Sequence, residues 1–200
     1  MEKDIRIAIL GFGSLLWDKR PEFDDLCEGW QEEGPTLPLE FSHISRKTRL
    51  GALTLVIDPK LGTNATVNWC FSKRKNVDDA FCDLRCREGT KNEFIGKMVV
   101  SEGVSPEAPA YEKAIHDWAI AKSLDAIVWT KLESSFIDEE NYDAFLKSAL
   151  NHIQFRLTPE GKAKAAEYVW RAPDFVKTPL RSILQSEPWF PKPKDVEKTD

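Results

Sequence analysis

The chain is 200 residues long, 42% hydrophobic and 30% charged, with a formal net charge of −5 at pH 7. That length suits one domain or at most two, with a core that seven tryptophans and eleven phenylalanines can fill. The acid excess and the scattered basic residues argue against a nucleic-acid surface. Met1-Glu2-Lys3-Asp4-Ile5 is too charged, and the apolar run after it too short, for a signal peptide or a membrane span.

Strand-like runs come first. Ile5 to Phe12, Leu39 to Ser45, Ala52 to Asp58, Ala65 to Ser72, Glu93 to Ser101 and Asp125 to Thr130 are rich in β-branched and aromatic residues. The turn-forming stretch from Asp58 to Asn64 reads as a hairpin loop between the third and fourth runs. Asn76 reads as the cap of a helix from Val77 to about Arg87, with Asp78 and Asp79 in its first turn and Gly89 as its stop. Further helices are expected from Ser105-Pro106-Glu107, from Asp138 to Ile153, and after Thr158-Pro159 and Thr178-Pro179. About six strands and five helices, not strictly alternating, predict an α+β fold around a mixed sheet or a barrel. Residues 1–187 form the expected domain, and 188–200 a loosely held tail.

The four cysteines, Cys27, Cys70, Cys82 and Cys86, form no Cys-x-x-Cys pair and read as reduced thiols of a cytoplasmic protein. His43, His116 and His152 lack ligand spacing, so no metal is expected.

The first strand ends on Gly11-Phe12-Gly13-Ser14 and then resumes with Leu15-Leu16-Trp17. A dinucleotide loop would need a third glycine, but Leu16 stands there. A plain turn is a second reading. The third is an anion or oxyanion site, in which small residues leave main-chain N–H groups open to a ligand.

The stretch "GFGSLLW" at the end of the first strand resembles the glycine–serine loop of the γ-glutamylcyclotransferase-like proteins, most of all their ChaC-type branch. Cys86-Arg87-Glu88-Gly89, at the end of the helix from Val77, is similar to the segment that carries that family's catalytic glutamate. The resemblance spans roughly residues 5 to 131. It implies a small closed or nearly closed β-barrel surrounded by helices. It also implies cleavage of a small γ-glutamyl amine or peptide by cyclisation to 5-oxoproline, with no metal or organic cofactor. Under that resemblance Glu88 is the general base, and Gly11, Phe12, Gly13, Ser14 and Leu15 form the substrate loop. A place at a helix C-terminus should raise the pKa of Glu88 and suit it to proton abstraction. Arg49, just before the third strand, is the choice for the substrate carboxylate over Arg46 and Lys47. Phe12 departs from the family's usual tyrosine and lacks its hydroxyl. The chain after Lys131 carries no matched motif, so the leaving amine is not specified. Two rivals stay open: a non-catalytic binding module on the same barrel, and an interaction protein acting through its C-terminal helices.

Overall fold

The computed structural model describes residues 5–192. Among the described residues, eight strands lie in two sheets with six α-helices around them, an α+β arrangement. In chain order these are β1 (Ile7–Gly11), α1 (Pro21–Asp24), β2 (Cys27–Gln31), β3 (Thr36–Ser45), β4 (Ala52–Ile57), β5 (Thr63–Thr66) and β6 (Asn68–Ser72). They continue with α2 (Val77–Glu88), β7 (Ile95–Val99), α3 (Ala110–Ala121), β8 (Ala126–Thr130), α4 (Tyr142–Asn151), α5 (Pro159–Arg171) and α6 (Pro179–Ser186). A π-helical turn, His152–Arg156, follows α4.

The five-stranded sheet has the order β2-β6-β1-β8-β7. Its middle strand β1 is parallel to β8 and antiparallel to β6. Both faces of β1 are covered, which is why its sequence is an unbroken apolar run rather than an alternation. Ile7 and Ile9 pack toward Ala80 and Leu84 of α2. Ala8 and Leu10 face the larger core, shared with Leu37, Leu39 and Phe41 of β3 and Leu53 and Leu55 of β4.

The three-stranded sheet has the order β4-β3-β5. Two sequence expectations are corrected here. β4 and β5 do not pair with each other but flank β3, so the Asp58–Asn64 loop is a crossover rather than a hairpin. Asp58 holds that loop by accepting from the N–H groups of Lys60 (3.1 Å) and Leu61 (3.0 Å). The single strand expected over Ala65 to Ser72 is two. At Val67 the chain leaves the small sheet for the large one, and the corner is pinned by Gly34 N–H to Val67 O (2.9 Å) and Val67 N–H to Pro35 O (3.1 Å). Strand hydrogen bonds among the described residues run in two sheets and close no ring. β2 and the four-residue α1 have no counterpart in the sequence reading. Cys27–Gln31 mixes charge and glycine, pairs with β6 through an irregular register and is mostly exposed.

Three helix starts follow the sequence closely, whereas α3 begins at Ala110 rather than at Ser105-Pro106-Glu107 and α4 at Tyr142 rather than at Asp138. The Asn76, Thr158 and Thr178 side chains accept from Asp78, Gly161 and Arg181 N–H respectively. Of the tail read from Pro188, Phe190 is buried and Pro191 O accepts from Trp170 Nε1 (3.1 Å); residues 193–200, like Met1 to Asp4, lie outside the described residues. No described helix is long and apolar enough to cross a membrane.

Buried Glu40 links three of these elements. Its carboxylate on β3 accepts from Phe41 N–H (2.8 Å) and from the Tyr142 hydroxyl of α4, and that hydroxyl accepts from Leu180 N–H of α6 (3.2 Å). Burial pushes the Glu40 carboxyl up to about 7, against the pull of those donors. The folded state therefore favours the protonated form, and stability falls as pH rises from about 4.5 to about 7. Thermal melts of Glu40→Gln are expected to show a flatter decline across that window than the parent.

Candidate active site

Gly13 follows the end of β1, Glu88 ends α2, Tyr168 lies on α5 and Arg49 in the β3–β4 loop; Tyr168 reaches Gly13 and lies beneath Arg49, and Arg87 bridges Ser14 and Glu88. Leu16 N–H bonds Gly13 O (3.1 Å), and Trp17 and Asp18 N–H bond Ser14 O (3.3 and 2.8 Å). The break after β1 is thus one helical turn. The first amides of such a turn lack partners within it, a general source of anion-binding donors.

Glu88 is the last residue of α2, and Gly89 closes the helix in the left-handed conformation at φ 58°. The Glu88 side chain is 18% exposed, yet its Oε1 is buried and has no hydrogen-bond partner among the described residues. Its nearest cation is Arg87, whose Nη1 lies 4.0 Å away. The Arg87 guanidinium is occupied elsewhere: Nη2 donates to Asp18 O (2.6 Å) and to Ser14 O (3.2 Å). It therefore ties the helical turn after β1 to the end of α2. Arg20 adds to the clamp by donating to Arg87 O (2.9 Å).

Burial raises the Glu88 carboxyl above its ordinary value; Arg87, Arg20 and Arg49 pull it back, and Asp18 reinforces the rise. The direction matches the sequence expectation, and its largest cause is burial. A buried acceptor that lacks a donor costs about 1–3 kcal/mol, and Glu88 Oε1 shares its unpartnered state with Arg85 Nε and Arg87 Nε of the same helix end.

Tyr168 of α5 is the residue that sequence reasoning missed. It is buried, and its hydroxyl reaches the start of the Gly13 turn: a Cβ built on Gly13 would stand 2.5 Å from it. Gly13 is glycine here because a phenol takes the space. Burial raises the Tyr168 pKa; Arg49 opposes this, Glu88 adds to it, and the main-chain amides of Ser14 and Leu55 oppose it. The phenol therefore stays protonated and can donate. Its signal in the sequence is weak: a tyrosine in the small, apolar stripe of Ala165, Ala166 and Val169, with a hydroxyl that needs a partner when buried.

Arg49 lies in the β3–β4 loop, held by Ala52 N–H to Arg49 O (2.9 Å) and by left-handed Leu50 (φ 53°) and Gly51 (φ 84°). Its guanidinium carbon stands 4.6 Å from the Tyr168 ring centroid and 5.6 Å from that of Trp17. Arg171 covers Trp17 as well, at 5.5 Å. Trp17 Nε1 is a second buried atom without a partner among the described residues.

The remaining predicted loop residues divide. Gly13 and Ser14 border Tyr168 and Arg87, whereas Leu15 packs with Ile9, Leu84 and Val128 beneath them. Gly11 does not open onto a ligand: a Cβ there would lie 2.4 Å from the Trp30 ring, so its bareness serves packing. Phe12 is buried in the main core. Arg46 lines a separate hollow with Lys147 and Arg156. Trp129 is 2% exposed and lies across Gly96 in β7. All four cysteines are free, and no cluster of three or more potential metal ligands occurs among the described residues. Compared with protein-family models, curated proteins and solved structures, the chain finds no match in any of the three.

Proposed function

We propose that the chain is a γ-glutamylcyclotransferase-like enzyme, which cyclises a small γ-glutamyl amine or peptide to 5-oxoproline and frees the amine. The observation that carries this reading is the convergence of an unpartnered, buried Glu88 oxygen with the Arg49 cation and a Tyr168 hydroxyl at the Gly13 turn. The fold supports it as well. Two sheets share one core and are linked by a corner at Val67, as in a barrel whose hydrogen bonding is left open.

In this reading Glu88 takes a proton from the substrate's α-ammonium. The freed amine attacks the γ-carbonyl, and a C–N bond forms within the substrate. The carbonyl oxygen becomes an oxyanion, met by the Tyr168 O–H and by an amide of the turn after β1 other than that of Ser14, which already faces the Tyr168 hydroxyl. As the tetrahedral centre collapses the γ-amide C–N bond breaks; Glu88 returns its proton to the leaving nitrogen, then takes the second proton from the ring nitrogen and passes it to the freed amine, which departs as an ammonium. Arg49 holds the α-carboxylate, which folds the substrate on itself and reduces the entropic part of the barrier. Tyr168 supplies a hydroxyl at the Gly13 turn, so the departure at Phe12 does not by itself argue for a binding module.

Assay of 5-oxoproline release from a panel of γ-glutamyl amino acids, peptides and amines tests the proposal. Release from one of them above the background of Glu88→Gln supports it, and no release from any counts against it. Arg49→Met is expected to raise KM by about 10- to 100-fold with a smaller change in kcat, as befits a lost charge-assisted contact. An unchanged KM would move the carboxylate contact to another residue.

A further inference from the structure

We propose that the free edge of β7 is a docking strand: an extended, lysine- or arginine-bearing segment of another protein adds there as the sixth strand of the large sheet. This inference is independent of the proposed reaction and uses none of its residues.

β7 ends the strand order, so among the described residues one of its edges has no neighbour in the sheet. Which main-chain groups face that edge follows from the ladder. Lys131 N–H bonds Phe94 O (2.8 Å) and Val100 N–H bonds Asp125 O (2.9 Å), in register with the antiparallel pairs of β7 and β8. Hydrogen-bonded pairs alternate in such a ladder. Gly96 and Met98 therefore turn their main-chain groups toward β8, and Ile95, Lys97 and Val99 turn theirs outward. Ile95 N–H is used by a turn with Asn92 O. That leaves Ile95 C=O, both groups of Lys97 and Val99 N–H pointing away from the sheet. This alternation is the one an added strand needs.

A hollow of about 680 Å³ runs along all five residues of β7. It is lined from both faces of the sheet, by Phe81 of α2 on one and by Trp129 of β8 on the other, so it straddles the strand's edge instead of lying on a face. Side chains of an added strand alternate between the two faces. Phe81 and Ile95 offer one apolar floor, and Met98 and Trp129 the other.

The rim is acidic. Glu93, Glu102, Glu107 and Glu112 line the hollow against two cations, Lys97 and Lys131. Both cations are already paired, Lys97 with Asp78 and Lys131 with Glu112 (2.9 Å), and Glu93 is paired with Lys91 (3.5 Å), so the acids left over on the rim are Glu102 and Glu107. The field left over attracts a basic segment and repels an acidic one. It also disfavours a second copy of this chain, which would bring the same glutamates and a net charge of −5.

The probe is a capped hexapeptide alternating lysine and valine, added to the full-length protein and followed by amide hydrogen exchange. The Lys97 and Val99 amides are expected to gain at least tenfold protection at saturation. The same peptide methylated on alternate backbone nitrogens should bind at least tenfold more weakly, and a glutamate–valine peptide should not bind. Lys97→Pro removes an outward N–H without touching the β8 ladder, and proline is tolerated on edge strands; it should abolish binding while the melting temperature stays close to the parent's. The double variant Glu102→Lys/Glu107→Lys, at exposed positions, should weaken binding at low salt. Absence of lysine–valine peptide binding at millimolar concentration overturns the proposal. So does binding without protection at Lys97, or equal binding by the methylated peptide.

Discussion

Glu88→Gln is expected to lower kcat for 5-oxoproline release by about 10²- to 10⁴-fold, the usual contribution of a positioned proton carrier. Glutamine keeps the shape and cannot take a proton. Stability should move the other way or not at all. A carboxyl whose pKa is raised by folding opposes folding once ionised, so its contribution worsens as pH rises from the ordinary 4.5 toward the folded value. The variant should therefore melt no lower than the parent at neutral pH. In the parent, kcat/KM should fall as pH drops through a Glu88 pKa that lies above 4.5. Retained turnover in Glu88→Gln, or an acid limb at an ordinary carboxylate pKa, would remove Glu88 from the chemistry and leave it a buried helix-end carboxyl.

Tyr168→Phe is expected to lower kcat by about 10²-fold, near the effect of deleting one oxyanion donor elsewhere. KM should change little, because the ring that supports Arg49 remains in place. The substitution removes one oxygen and keeps the edge-to-face packing against Trp17 (5.7 Å) and Phe41 (6.2 Å). A purely structural tyrosine would show the reverse: a lower melting temperature with kcat intact. The two variants are informative together. Glu88 and Tyr168 act on opposite ends of the same proton and charge movement, so their effects should be less than additive.

Much of the proposed site was legible because short motifs mark where main chain and charge must lie. Gly13-Ser14 at a strand end and Glu88 at a helix end were found by position and by resemblance, and Arg49 by its place before a strand. Burial was not legible, and it changed the reasons. The Glu88 carboxyl is raised mainly by loss of water, which no helix-end position reveals. Gly11 looked like part of a bare binding loop until the Trp30 ring was seen against it. Tyr168 had no motif at all; its meaning comes from Gly13, a residue at the other end of the chain.

By itself the amino-acid sequence determined the features whose partners lie within a few residues. These are the capped starts of α2, α5 and α6, the left-handed stop at Gly89, and the apolar runs that became β1, β4 and β8. Caps and periodic burial are local, so composition and spacing suffice to find them. Only the tertiary structure decided that β3 lies between β4 and β5, that the chain changes sheets at Val67, and that α5 sets a phenol over Gly13. Those choices rest on contacts between distant segments that compete for the same core. No local propensity encodes which segment wins.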